Sequence, residues 1–126
     1  MKLENDFFRI ENIISVDGEP REVELNLNTS HWVYDAHFPG NPVTPGVCLV
    51  QMAAEILGQE YQQSLMLSLL KNIKFKKIVH PEDEPTFVFT KVVKAEGMLS
   101  ANVSIEDEES QYVKMSLQYM CDHSNV

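Results

Sequence analysis

The spacing of apolar and polar positions changes twice along the chain. Residues 7 to 16, FFRIENIISV, are rich in Phe, Ile and Val, and DGEP follows them as a turn. REVELNLNT then sets Val23, Leu25 and Leu27 against Glu22, Glu24 and Asn26, the period of two that marks a half-buried strand. These two segments predict a hairpin. The next stretch, SHWVYDAHFPGNPVTPG, carries Pro39, Pro42 and Pro45. Each proline ring removes an amide donor and restricts the residue before it, so no helix propagates through this spacing.

From Val47 to about Gln63 the period becomes helical. At about 100° per residue, Val47, Val50, Ala54, Leu57 and Tyr61 share one face, and Leu49, Met52, Ala53 and Ile56 fill most of the rest. Gln51, Glu55, Gln59 and Gln62 form one narrow polar stripe. A helix apolar around so much of its circumference is expected to be wrapped by other structure. Gly58, mid-helix at a cost of about 1 kcal/mol, is expected to allow close contact with a sheet. SLMLSLLKN fits either an extension of the helix or a bridge to the next strand. IKFKKIV alternates Ile73, Phe75 and Lys77 with Lys74, Lys76 and Ile78, and HPEDEP is a turn. TFVFTKVVKAE, MLSANVSIED and QYVKMSLQYMC follow as three more strands. Two strands, one buried helix and four strands predict an α+β fold. An antiparallel sheet would curve around one central helix, in a single domain over 1–126.

Composition narrows the chemistry. The 126 residues are enough for one modest core, with 44% apolar and 23% charged residues. No apolar run approaches the roughly 20 residues that span a bilayer, and MKLENDFFRIEN lacks the apolar core of a signal peptide. A soluble cytoplasmic protein is the expectation. The formal charge of -9 argues against nucleic acid or an anionic membrane as the main partner. Four of the ten Lys and Arg residues, Lys71, Lys74, Lys76 and Lys77, nevertheless crowd into KNIKFKK. They fit a solvated strand face, and equally a spot that steers an acidic carrier. Cys48 and Cys121 are too few and too far apart to suggest a metal site, and both read as unpaired thiols. His31 and His80 read as structural or exposed.

The stretch HFPGNPVTPGV, running into the apolar helix, resembles the H-F-P-G-x-P-x-x-P-G-V pattern of the FabA/FabZ family of 3-hydroxyacyl-acyl-carrier-protein dehydratases. His37, Phe38, Pro39, Gly40, Pro42, Pro45, Gly46 and Val47 all match. NIKFKKIVHPED is similar to a family strand that runs into a turn. The resemblance implies a hotdog fold and a homodimer, or a higher oligomer, with active sites at the interface. It implies an acyl carrier protein as partner, no cofactor and no metal, in fatty-acid or related polyene synthesis.

Dehydrating a 3-hydroxyacyl thioester needs a base at C2, an acid for the departing C3 hydroxyl, and a donor for the thioester oxygen. The resemblance assigns the base to His37, whose imidazole can accept a proton at neutral pH. It assigns the thioester carbonyl to Gly46, with Val47 beside it, at a helix start whose amides lack internal partners. At the position of Gln51, FabZ-type members carry glutamate and FabA-type members aspartate. One turn later, FabZ-type members often carry glutamine, and here Glu55 stands. A glutamine amide holds a hydroxyl but does not protonate it. Two roles for Glu55 remain open. It acts as the acid, directly or through a water, or it is a structural carboxylate beside a Gln51 that only positions substrate. The acyl chain is expected along the helix, past Phe38, Val50, Ala54 and Phe75. A hotdog thioesterase and a non-catalytic acyl-carrier-binding subunit are the alternatives.

Overall fold

The computed structural model describes residues 3–17, 19–36 and 40–122. Eight elements follow one another: β1 (Phe8–Val16), β2 (Glu19–Leu27), α1 (Val33–Ala36), α2 (Gly46–Tyr61), β3 (Ser64–Phe75), β4 (Thr86–Ala95), β5 (Met98–Glu106) and β6 (Gln111–Asp122). The strands form one antiparallel six-stranded sheet in the order β1-β2-β4-β5-β6-β3. This is the α+β hotdog architecture, a sheet folded over a central helix.

Period-two patterning explains which sheet face packs inward. Leu99, Ala101, Val103 and Ile105 of β5 are buried, as are Val113, Met115, Leu117 and Tyr119 of β6. Val23, Leu25 and Leu27 of β2 and Phe87 and Phe89 of β4 complete that face. Against it lie Leu49, Met52, Ala53, Ile56 and Leu57 of α2, all in the same apolar cluster. The curvature has a local cause. Register slips occur at Ile10/Asn12, Leu67/Leu69, Lys71/Lys74 and Thr90/Val93. Bulges of this kind bend a strand and increase its twist. Asn72 and Lys91 take positive φ inside two of them.

Two expectations need correction. First, α2 is not wrapped on all sides within one chain. Of the Val47/Val50/Ala54/Leu57/Tyr61 face only Leu57 is fully buried, and Val47 is 70% exposed. The sheet covers the adjacent Leu49/Met52/Ile56 stripe instead. Second, SLMLSLLKN is strand: β3 starts at Ser64 and stops at Phe75, so Lys76 and Lys77 lie beyond it. Their amides both donate to the Tyr112 carbonyl, at 2.8 and 3.2 Å. Gly58 does meet the sheet, with Leu65 Cγ of β3 3.8 Å from the position of an added Cβ, and it approaches backbone more closely still. A Cβ there would lie 2.8 Å from the Gln63 carbonyl oxygen. The chain turns back at that point through Gln62, at φ 53, with the Gln62 amide donating to Gln59 O and the Gln63 amide to Gly58 O. This paired closure ends a helix with one left-handed residue.

Candidate active site

The helix start is shaped by the connection before it. Thr44 is buried, its amide donates to the Val79 carbonyl at 2.8 Å, and its hydroxyl lies 2.9 Å from the Tyr34 hydroxyl of α1. Burial pushes the Tyr34 phenol up to about 12, with the Thr44 hydrogen bond opposing that shift. Pro45 occupies the N-cap and offers no side-chain cap. Its carbonyl accepts from Cys48 and Leu49, so Gly46 and Val47 stand ahead of the first internal acceptor. Gly46 lines an apolar cavity of about 370 Å³ with Thr44, Leu49, Phe75, Val79 and Val113. A Cβ on Gly46 would sit 2.7 Å from Phe75 Cζ, so the aromatic ring rests directly over this backbone. Lys76 and Lys77 also line the cavity. Lys76 Nζ donates to Gln111 Oε1 at 2.6 Å, and Lys77 Nζ to Ser110 Oγ at 3.2 Å. Lys71 and Lys74 are exposed on β3, and Lys74 pairs in register with Lys114 of β6.

The polar stripe of α2 lies elsewhere. Gln51, Ala54, Glu55 and Gln59 line a second groove of about 680 Å³, together with Glu4, Asn5 and the start of β3. By helical geometry this face is roughly 180° around α2 from Gly46 and Leu49. Val50 packs half-buried against the core. One chain therefore brings Phe75 to Gly46 and Ala54 to the stripe, but it does not bring the two groups to one cavity. His37 and Phe38 fall outside the described residues. Among the described residues, no cluster of three or more His, Cys, Asp or Glu side chains is arranged to hold a metal ion.

Glu55 has a partner set that the sequence did not reveal. Its Oε1 accepts the amides of Leu3 at 2.9 Å and Glu4 at 2.8 Å. Its Oε2 accepts the Leu3 amide at 2.7 Å and the Gln51 side-chain amide at 2.9 Å. Gln59, with its amide nitrogen turned toward Glu4, donates to that carboxylate at 2.7 Å. These contacts hold the Glu55 carboxylate against the backbone of residues 3 and 4 and beside Gln51. No pattern near residue 3 announces this, because a backbone amide carries no residue identity. His31 is buried and structural, as expected. It rests edge-on against Phe7, with ring centroids 5.1 Å apart, and tilted against Trp32 at 5.4 Å. Cys48 and Cys121 are both free thiols, and burial raises the Cys48 pKa.

Comparison with known proteins adds a family and a fold. The family model described as ApeI-like, ApeI dehydratase, matches residues 14–116. A 3-hydroxyacyl-[acyl-carrier-protein] dehydratase FabZ of Bartonella bacilliformis is 33% identical over 89 residues, 62% of this chain and 56% of that protein. The FabZ of Bartonella henselae is 30% identical over 103 residues, 73% of this chain and 65% of that protein. The chain thus spans less than two thirds of the length of these curated relatives. Among solved structures, the dehydratase heterocomplex ApeI:P from Xenorhabdus doucetiae superposes with a TM-score of 0.59 at 16% identity, covering 87% of this chain and 99% of that one. A hypothetical thioesterase with coenzyme A from Streptococcus pneumoniae gives 0.60 at 15% identity, covering 91% and 85%. Both share the fold.

Proposed function

The chain belongs to the ApeI-like dehydratase family, and from that premise we propose that it removes water from a 3-hydroxyacyl thioester held on an acyl carrier protein, leaving the trans-2-enoyl thioester. The observation that carries this reading is Gly46. It stands at the uncapped start of α2, in the HFPGNPVTPGV motif, with an apolar cavity and the Phe75 ring against it. A thioester oxygen at the Gly46 and Val47 amides meets donors and the positive end of a helix as charge develops. The acyl chain takes the apolar wall that includes Phe75, while Lys76 and Lys77 at the cavity, with Lys71 and Lys74 beyond, attract an acidic carrier.

His37 is the base in this reading. It takes the C2 proton, the electrons of that C–H bond form the C2–C3 double bond, and the C3–oxygen bond breaks. The imidazolium so formed is itself an acid and returns the proton to the departing hydroxyl, which leaves as water. One residue serves both steps. This mechanism leaves Glu55 with its four hydrogen bonds and gives Gln51 the task of orienting the hydroxyl. Because Gly46 and Gln51 lie on opposite faces of α2, the site takes its stripe from a second copy, with one domain per copy and a homodimer as the working unit.

A second reading is favoured by Gln51 at the family's acidic position: a carrier-binding subunit that works only beside an active partner. The deciding experiment presents the purified chain with a panel of 3-hydroxyacyl carrier thioesters and follows dehydration and thiol release together. Dehydration that falls roughly 100-fold in His37→Ala supports the first reading. No dehydration until a carboxylate is restored by Gln51→Glu supports the second. Thiol release without dehydration marks a thioesterase and overturns both.

A further inference from the structure

We propose that residues 3–8 form a strap that ties the polar stripe of α2 to both ends of the His37 loop, and that Glu55, Asp6 and His31 are positioning residues acting through it. The strap starts at Glu55, which takes the amides of Leu3 and Glu4. Leu3 is buried, and its carbonyl accepts the amides of Asp6 at 3.1 Å and Phe7 at 2.7 Å, so the segment is compact rather than trailing. Asp6 Oδ2 lies 3.2 Å from His31 Nε2. His31 Nδ1 accepts the Val33 amide at 3.2 Å, which leaves Nε2 as the donor to Asp6 and makes His31 the hinge pin of α1. Phe7, fully buried, stacks on Tyr34 of α1 with centroids 5.6 Å apart. Tyr34 in turn holds Thr44, two residues before Gly46.

The chain of contacts therefore runs from Glu55 through Phe7 to Tyr34. It reaches Ala36, which precedes His37 in sequence, and Thr44, which leads into Gly46. A loop that carries a base needs a fixed root, since a shift of about 1 Å at a reacting group can cost roughly 100-fold in rate. The strap supplies that root from the opposite face of α2. This consequence for turnover rests on the reading of His37 as base. The mechanical link itself does not.

Amide hydrogen exchange and kinetics test the two parts separately. In Glu55→Ala the amides of Leu3 and Glu4 lose their acceptor. If the strap transmits, Asp35 and Ala36 of α1 also exchange at least tenfold faster. Asp6→Ala, which cuts the link at its other anchor, gives the same response in α1, and Asp6→Asn, which keeps an acceptor for His31, restores it. Turnover falls about tenfold in Asp6→Ala with KM nearly unchanged. In Glu55→Gln the pH profile keeps its shape and only its height changes, whereas loss of an acid would remove one limb. Unchanged exchange in α1 for both alanine variants overturns the strap. A wild-type chain that does not dehydrate any thioester overturns the dehydratase reading, while the exchange experiment still decides the strap.

Discussion

Gly46 concentrates the demands of the proposed chemistry on one missing Cβ. The Phe75 ring occupies the space a side chain would need, with Cζ at 2.7 Å and Cε1 at 3.0 Å from the Cβ position. The ring is the far end of a side chain that is 58% exposed, so it can swing aside at little cost to folding. Gly46→Ala is therefore expected to change stability by less than about 1 kcal/mol, because the helix gains propensity while the ring moves. Turnover is expected to drop at least tenfold, because the displaced ring no longer shapes the wall beside the thioester. Thermal melts and kcat/KM of the purified variant separate these effects. Gly46→Ala with Phe75→Ala should lose less than the sum of the single losses, as coupled neighbours do. A Gly46→Ala chain with full kcat/KM would mean that the Phe75 ring does not shape the wall beside the thioester. The motif marked Gly46 as a matching position, but the contact with Phe75, 29 residues later in the chain, is visible only once β3 folds back over the start of α2.

At the scale of elements, the turn from α2 into β3 depends on Gly58. An added Cβ would meet the Gln63 carbonyl at 2.8 Å, and that oxygen belongs to backbone that already closes the helix end. Gly58→Ala is expected to destabilise the fold by about 1–3 kcal/mol, the range for overpacking. This outweighs the roughly 1 kcal/mol that alanine brings to a helix interior. Urea melts check it, and a rise in the midpoint would show that the closure relaxes freely. The sequence made most elements legible for a physical reason. Val23/Leu25/Leu27 and the β5 pattern alternate because one sheet face is buried, and the Leu49-to-Leu57 spacing is helical because α2 packs along one side. SLMLSLLKN was not legible, because an apolar run without alternation fits either a helix or a strand. Its edge position in the sheet, with Met66 and Leu67 exposed, shows why both of its faces are apolar. The short helix α1 lay hidden in the proline-rich connection, since four residues carry no periodic signal. The stripe of Gln51, Glu55 and Gln59 is legible as one face from its spacing, but its partner, the strap, leaves no mark in residue type.

At the scale of the whole molecule, charge and apolar surface are segregated. Glu22, Glu24, Glu84 and the Glu106–Glu109 turn crowd one end of the sheet, whereas Lys71, Lys74 and Lys114 sit along β3 and β6. The apolar surface gathers on the β3 side. Among the described residues, β3 pairs with β6 along one side and with no strand along the other. It exposes Met66 at 65%, Leu67 at 41%, Leu69 at 45% and Leu70 at 36%, and it contacts α2, where Val47 is 70% exposed. A long apolar edge left bare is a template for pairing with another chain. The opposed faces of α2 make the same demand from the side of the proposed chemistry, in which Gly46 of one copy and the polar stripe of a second meet one substrate. Light scattering at micromolar concentration is expected to give about 29 kDa, twice the 14.4 kDa of the chain. Met66→Lys places a charge on the edge without disturbing a buried side chain, so the monomer should keep its fold and its circular dichroism. It should nevertheless lose the dimer mass and, with it, turnover by 100-fold or more, because each half-site loses its complement. A wild-type mass of 14.4 kDa, or a monomeric Met66→Lys chain with full activity, would mean that one copy assembles the site alone.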